Sequence, residues 1–82
     1  MWLIVNIQLL GTAGCHLCDV AEKIVRRMAP DLGFKFEKLD IASSDALVEQ
    51  YGMVIPVLRS DSGQELFWPF DEEQLFAWSK SL

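Results

Sequence analysis

The sequence predicts an α/β protein: a mixed four-stranded sheet covered by three helices, in the order β-α-β-α-β-β-α. Three observations lead there. An apolar β-branched run, "WLIVNIQLL", is followed directly by a helical repeat of apolar positions. A second strand follows that helix, so the first two strands are parallel and joined by a right-handed crossover. Near the end, "MVIPVLRS" and "QELFWPF" are separated only by the turn "DSG", which makes them an antiparallel hairpin. Helices packed on such a sheet form the usual layered α/β arrangement.

Each element has its own signal. The first strand ends at Gly11. Leu17, Val20, Ala21, Ile24, Val25 and Met28 then recur at helical spacing, with Asp19, Glu22, Lys23, Arg26 and Arg27 between them. Acidic residues fall in the first turn and basic ones toward the last, which suits the helix dipole. Pro30 and Gly33 are expected to end this helix. "FKFEKLDI" alternates imperfectly between apolar and charged residues and reads as the second strand, with Glu37 and Lys38 on a solvated face. "SSDALVEQYG" offers a serine cap, an apolar face of Leu47, Val48 and Tyr51, and Gly52 as a stop. In "DEEQLFAWSKSL", Asp71 and Gln74 have capping-box spacing, and Phe70 and Leu75 have that of a hydrophobic staple. No linker or repeat divides the chain, and residues 1–82 read as one domain.

Composition narrows the function. Seven basic and twelve acidic residues give a net charge of -5, and no basic patch is present, which argues against a nucleic-acid partner. The apolar start is far short of the ~20 residues that span a bilayer. "TAGC" has a trace of a lipoprotein cleavage site, but no Lys or Arg precedes the apolar run, and cleavage there would remove the first strand. The expectation is therefore no membrane association, a monomer and a cytoplasmic location, where a CxxC is more often catalytic or metal-binding than structural.

Cys15 and Cys18 are the only cysteines and carry most of the functional argument. A zinc site needs about four ligands, and the chain offers only these two and His16, leaving a site shared across a dimer as the metal alternative; no metal is expected within one chain. A purely structural bridge would close too small a loop to stabilise much. Two inert core cysteines would suit a helix interior better than its first turn. A redox pair leads these readings. Cys15 falls where a loop enters a helix, and the unpaired N–H groups and dipole there stabilise a thiolate, drawing a thiol pKa from about 8.5 toward 7. Cys18, one turn on, is near enough to resolve a mixed disulfide. His16 adds positive charge when protonated; Asp19 and Glu22 oppose the thiolate. Pro56 is a second feature: within an apolar strand pattern it belongs at the strand's start, and a cis bond after Ile55 would be a deliberate element of the fold. A turn there would leave the Ile55 N–H and C=O free to pair with a bound peptide or glutathione.

"GCHLC" opening an amphipathic helix, "YGMVIPVL" with its proline, and "FDEEQL" starting the last helix together resemble the glutaredoxin and thioredoxin superfamily, most nearly its small glutaredoxin-like members with a "GCHLC" motif. That resemblance spans the chain and implies a thioredoxin/glutaredoxin-like fold and thiol-disulfide oxidoreductase activity. Cys15 would be the nucleophile and Cys18 the resolving thiol. Ile55 and Pro56 would shape the substrate groove, Asp71 would hold the glutathione amino group, and His16 and Thr12 would flank the ligand. It also implies no bound cofactor, glutathione as a co-substrate, disulfide-containing or glutathionylated proteins as substrates, and glutathione or a thioredoxin-type reductase as electron donor. The chain departs from the pattern in several places, among them the His-Leu filling of the CxxC, and two departures bear on glutathione. Thr12 replaces a common basic residue, and Trp68-Pro69 replaces a Gly-Gly pair; both weaken the case for tight glutathione binding. The rival class is a non-enzymatic module of the same fold whose cysteines form a redox switch or a shared metal site.

Overall fold

The computed structural model describes residues 5–82. Trp2 and the first part of the expected opening strand lie outside the described residues. The chain forms β1 (Val5–Gly11), α1 (His16–Leu32), β2 (Phe34–Asp40), a short 3-10 turn (Ile41–Ser43), α2 (Asp45–Tyr51), β3 (Val57–Ser60), β4 (Glu65–Phe67) and α3 (Glu72–Lys80). Strand order is β2-β1-β3-β4. β1 runs parallel to β2 and antiparallel to β3, and β3 pairs antiparallel with β4. The mixed sheet, the three helices and the terminal hairpin are those the sequence predicts.

Alternation along β1 sends successive side chains to opposite faces, and each face has its own core. Ile7, Leu9 and Leu58 pack with Ala21, Val25 and Ala29 of α1 and with Phe70 and Leu75 at α3. Leu10 and Val57 pack on the other side with Ile41 and Tyr51, beneath α2. α1 and α3 therefore cover one face and α2 the other.

The helix ends are specified by short-range chemistry. Ser44 caps α2 through the Leu47 N–H. Asp71 and Gln74 form the reciprocal capping box, with the Gln74 N–H on Asp71 Oδ1 at 2.8 Å and the Asp71 N–H on Gln74 Oε1 at 3.0 Å. Phe70 and Leu75, on either side of that cap, are both buried.

Several boundaries differ from the sequence expectation. α1 continues through Pro30 to Leu32 and stops at Gly33, whose φ of 76° is the left-handed region where glycine is at home. An interior proline costs about 3 kcal/mol through its lost N–H and its clash with the preceding turn; burial of Ala29 and the packing of Leu32 against the core offset that here. The longer helix leaves no basic residue in its last turn, so Arg26 and Arg27 serve ion pairs instead, with Glu22 and Glu72 respectively. β3 begins only after Pro56, and β4 stops at Phe67, short of the Trp68–Pro69 bond. Among the described residues no helix is long and apolar enough to cross a membrane.

Candidate functional site

Cys15 is the N-cap of α1. Its backbone is extended (φ -94°, ψ 106°), and its sulfur accepts the Cys18 N–H at 3.2 Å. A side-chain acceptor at this position satisfies one of the donors that a helix start leaves free. The sulfur thus occupies the role an Asp or Ser oxygen plays at other helix starts. The Cys15 and Cys18 Cα atoms lie 5.2 Å apart, one helical turn, and the two sulfurs are joined in a disulfide. Cys15 is half-exposed and Cys18 is 7% exposed. The two cysteines are therefore unequal: an incoming thiol or disulfide reaches Cys15 first.

The burial of Cys18 depends on Gly11, the last residue of β1. A Cβ there would stand 3.0 Å from the Cys18 sulfur and 3.1 Å from its Cβ, closer than side-chain atoms ordinarily pack. The sequence marks Gly11 as a strand end, and nothing local reveals that it makes room for a sulfur seven residues later. Gly14, with φ 77°, turns the chain between strand and helix. A crevice of about 320 Å³ opens beside the pair, lined by Gly11, Thr12, Cys18, Asp19, Glu22 and Lys38 among others. Inside it Glu22 bridges Arg26 at 2.7 Å and Lys38 at 3.0 Å, and these two cations, Arg26 foremost, hold its carboxyl below the usual range.

The Pro56 segment meets the cysteines at the same end of the sheet. Leu10 pairs with Val57, and one further step of that register sets Gly11 beside Pro56. Pro56 is buried and follows a cis peptide bond from Ile55. Its carbonyl accepts the Trp68 N–H at 3.2 Å, which brings the Trp68-Pro69 segment against it. Trp68 is half-buried and packs edge-on against Phe70, their ring centroids 5.1 Å apart. Here one expectation needs correction. The Ile55 N–H is not free, because it donates to the Tyr51 carbonyl at 3.2 Å in the turn that ends α2. Among the described residues no donor meets the Ile55 carbonyl, so a docked strand finds one backbone partner there and not two.

The remaining expected residues are more dispersed. Thr12 lines the crevice, and His16 is exposed on the first turn of α1. Asp71 is exposed, and its Oδ1 accepts the N–H of its own helix. The neighbouring Glu72 is tied to Arg27, a residue about 18 Å along α1 from Cys15 by helical rise.

Sequence reading missed one cluster entirely. The Tyr51 hydroxyl donates to the Glu65 carboxylate and accepts from Arg59 Nη1 at 3.2 Å, while Arg59 reaches Gln8 Oε1 at 2.8 Å. The network crosses three strands and α2, and the hydrogen bond to Glu65 raises the Tyr51 pKa, with burial adding to it. A sequence shows the helical period of about 3.6 residues and the strand period of about two; pairings this distant along the chain leave no such mark.

A CxxC-spaced cysteine pair at the start of the first helix of this sheet supports a redox-type thioredoxin fold. The comparisons agree with that class. The model of the glutaredoxin-like domain family (DUF836) matches residues 6–80, and the chain belongs to this family. The X. campestris protein XcR50, solved by crystallography, is 36% identical, with 93% of this chain and 97% of that one covered and a TM-score of 0.83. The Nitrosomonas europaea protein Ne2328 shares the fold at 24% identity, covering 95% of this chain and 94% of that one, with a TM-score of 0.79. An uncharacterized protein of Mycobacterium tuberculosis is 26% identical over 77 residues, which is 88% of this chain and 79% of that protein.

Proposed function

We propose that the chain is a thiol-disulfide oxidoreductase in which Cys15 is the nucleophile and Cys18 the resolving thiol. The observation that carries this reading is the asymmetry of the pair: a half-exposed N-cap sulfur facing a backbone N–H, bonded to a buried partner one turn away. In the reduced protein that N–H and the helix dipole favour a thiolate on Cys15.

The thiolate attacks one sulfur of a target disulfide; the S–S bond breaks, and the other sulfur leaves as a thiolate. A mixed disulfide on Cys15 results. Cys18 then gives up its proton and attacks the Cys15 sulfur, releasing the second target thiolate and restoring the Cys15–Cys18 bond. Two electrons pass to the target, and its two thiolates take up protons. Cys18 has only to turn within one helical turn to react, so the second step is intramolecular and needs no rearrangement of the backbone.

The test uses a small neutral disulfide, hydroxyethyl disulfide, and mass spectrometry of the intact protein. Reduced Cys18→Ser protein is expected to accumulate a stoichiometric adduct on Cys15, and reduced Cys15→Ser protein to form its adduct at least tenfold more slowly. Equal rates for the two variants would remove the assignment of roles. Failure of either thiol to react would favour a non-catalytic module of the same fold.

A further inference from the structure

We propose that the Cys15–Cys18 pair exchanges with a polypeptide whose reactive cysteines are flanked by apolar and basic residues, and that glutathione is a poor partner for it. This rests on the oxidoreductase reading and names its substrate class.

Charge distribution carries the argument. The segments at the cysteine end of the sheet are residues 12–18, 41–44, 52–56 and 68–71, and none contains a Lys or Arg. The seven basic residues lie elsewhere: on the body of α1, on β2 and β3, and at the end of α3. Lys38 alone lines the crevice, and Glu22 neutralises it at 3.0 Å. Acidic groups, by contrast, rim this end: Asp19 in the crevice, Asp40 closing β2, Asp45 opening α2 and Asp71 capping α3. Glutathione carries two carboxylates against one ammonium and, among the described residues, meets no unpaired Lys or Arg there; His16 is the one basic side chain in those segments. Its backbone is served no better, since the Ile55 N–H is already bonded and Pro69 has no N–H to offer.

What the same end does present is apolar surface. Met53 is 98% exposed, Leu17 46% and Val54 39%. Leu17 lies between the two cysteines, and Met53-Val54 leads into Ile55-Pro56. An exposed methionine on the segment that leads into Pro56 suits a varied apolar contact, and the acidic rim suits basic flanks. A tripeptide is too small to use both; a folded protein or a longer peptide is not.

In the exchange, one thiolate of the partner attacks the Cys15 sulfur of the oxidised pair, and Cys18 leaves as a thiolate and is protonated. The partner's second thiol loses its proton and attacks the partner sulfur of the mixed disulfide, releasing Cys15. The partner dithiol is oxidised by two electrons and the pair is reduced by two.

The test compares reduction of the oxidised protein by four thiols: dithiothreitol, glutathione, and two synthetic dithiol peptides of equal length and apolar content, one flanked by lysines and one by glutamates. Each rate is divided by that thiol's rate toward hydroxyethyl disulfide, which removes the effect of flanking charge on the thiol itself. The lysine peptide is expected to exceed both the glutamate peptide and glutathione at least about tenfold at low salt, within the range of electrostatic steering, and the gap is expected to shrink as salt screens it. Asp19→Asn with Asp45→Asn should reduce the gap at least about threefold, whereas Asp31→Asn, at the far end of α1, should leave it unchanged. Met53→Ser should slow both peptides and leave dithiothreitol unaffected. If dithiothreitol reduces the pair readily and glutathione matches the lysine peptide, this inference falls and the oxidoreductase reading stands. If no thiol, dithiothreitol included, exchanges with the pair, both fall together.

Discussion

Gly11→Ala tests how the fold holds the resolving cysteine. The added methyl would meet the Cys18 sulfur at 3.0 Å and its Cβ at 3.1 Å, on the first turns of a helix fixed by its packing on the sheet. Overpacking of this kind costs about 1–3 kcal/mol. Alanine also restricts the unfolded chain, which gives back about 0.4–1 kcal/mol. The net loss is then roughly 1–2 kcal/mol, or a Tm lower by roughly 5–15 °C in a domain of this size. Thermal unfolding followed by circular dichroism measures it directly. The loss should be smaller with the pair reduced, because the freed Cys18 sulfur can then move to another rotamer. An unchanged or higher Tm in the oxidised protein would refute the close approach of β1 to Cys18.

Further outcomes follow from other contacts. Tyr51→Phe removes the hydroxyl shared by Glu65 and Arg59 and should cost about 1–2 kcal/mol in denaturant titration, at the low end for bonds to charged groups because Glu65 and Arg59 remain half-exposed. Because the folded protein raises the Tyr51 pKa, this stability is complete below about pH 10 and is lost as pH rises through the folded value; the Phe variant should lack that alkaline loss. Glu22 has the opposite sign: Arg26 and Lys38 lower its pKa, so its contribution is present above about pH 4.3 and disappears as pH falls below it. Glu22→Gln should therefore flatten the acid limb of the stability curve, by no more than about 1 kcal/mol for surface pairs. Asp71→Ala should cost about 1 kcal/mol through the lost cap while leaving reduction by dithiothreitol at its original rate; a slowed rate would place Asp71 in the reaction.

Much of the fold was legible because its signals are local. The 3.6-residue repeat of α1, the Ser44 and Asp71 caps, the Phe70–Leu75 staple and the Ser60–Gly63 turn each need only a few neighbouring residues, and the structure contains them all. The parallel first pair followed from the crossover and the antiparallel last pair from the hairpin; the pairing of β1 with β3, which sets the strand order, had no local signal. Pro30 misled because its local penalty is outweighed by burial that only the assembled sheet supplies. At the site, the closeness of the two cysteines followed from their spacing at the helix start, whereas their unequal burial did not. The room that Gly11 makes, the use of the Ile55 N–H by Tyr51 and the Tyr51–Glu65–Arg59–Gln8 network came from contacts between distant segments, for which the sequence carries no periodic mark.

The central claim is that the Cys15–Cys18 bond is made and broken as part of a reaction and does not merely clip a turn. Its reduction potential, measured by equilibrating the purified protein in dithiothreitol redox buffers and quantifying free thiols, tests that most directly. A value between about -180 and -270 mV, where known oxidoreductases lie, is the result expected. A value below about -300 mV, the range of structural disulfides, or a pair that never oxidises, would contradict it.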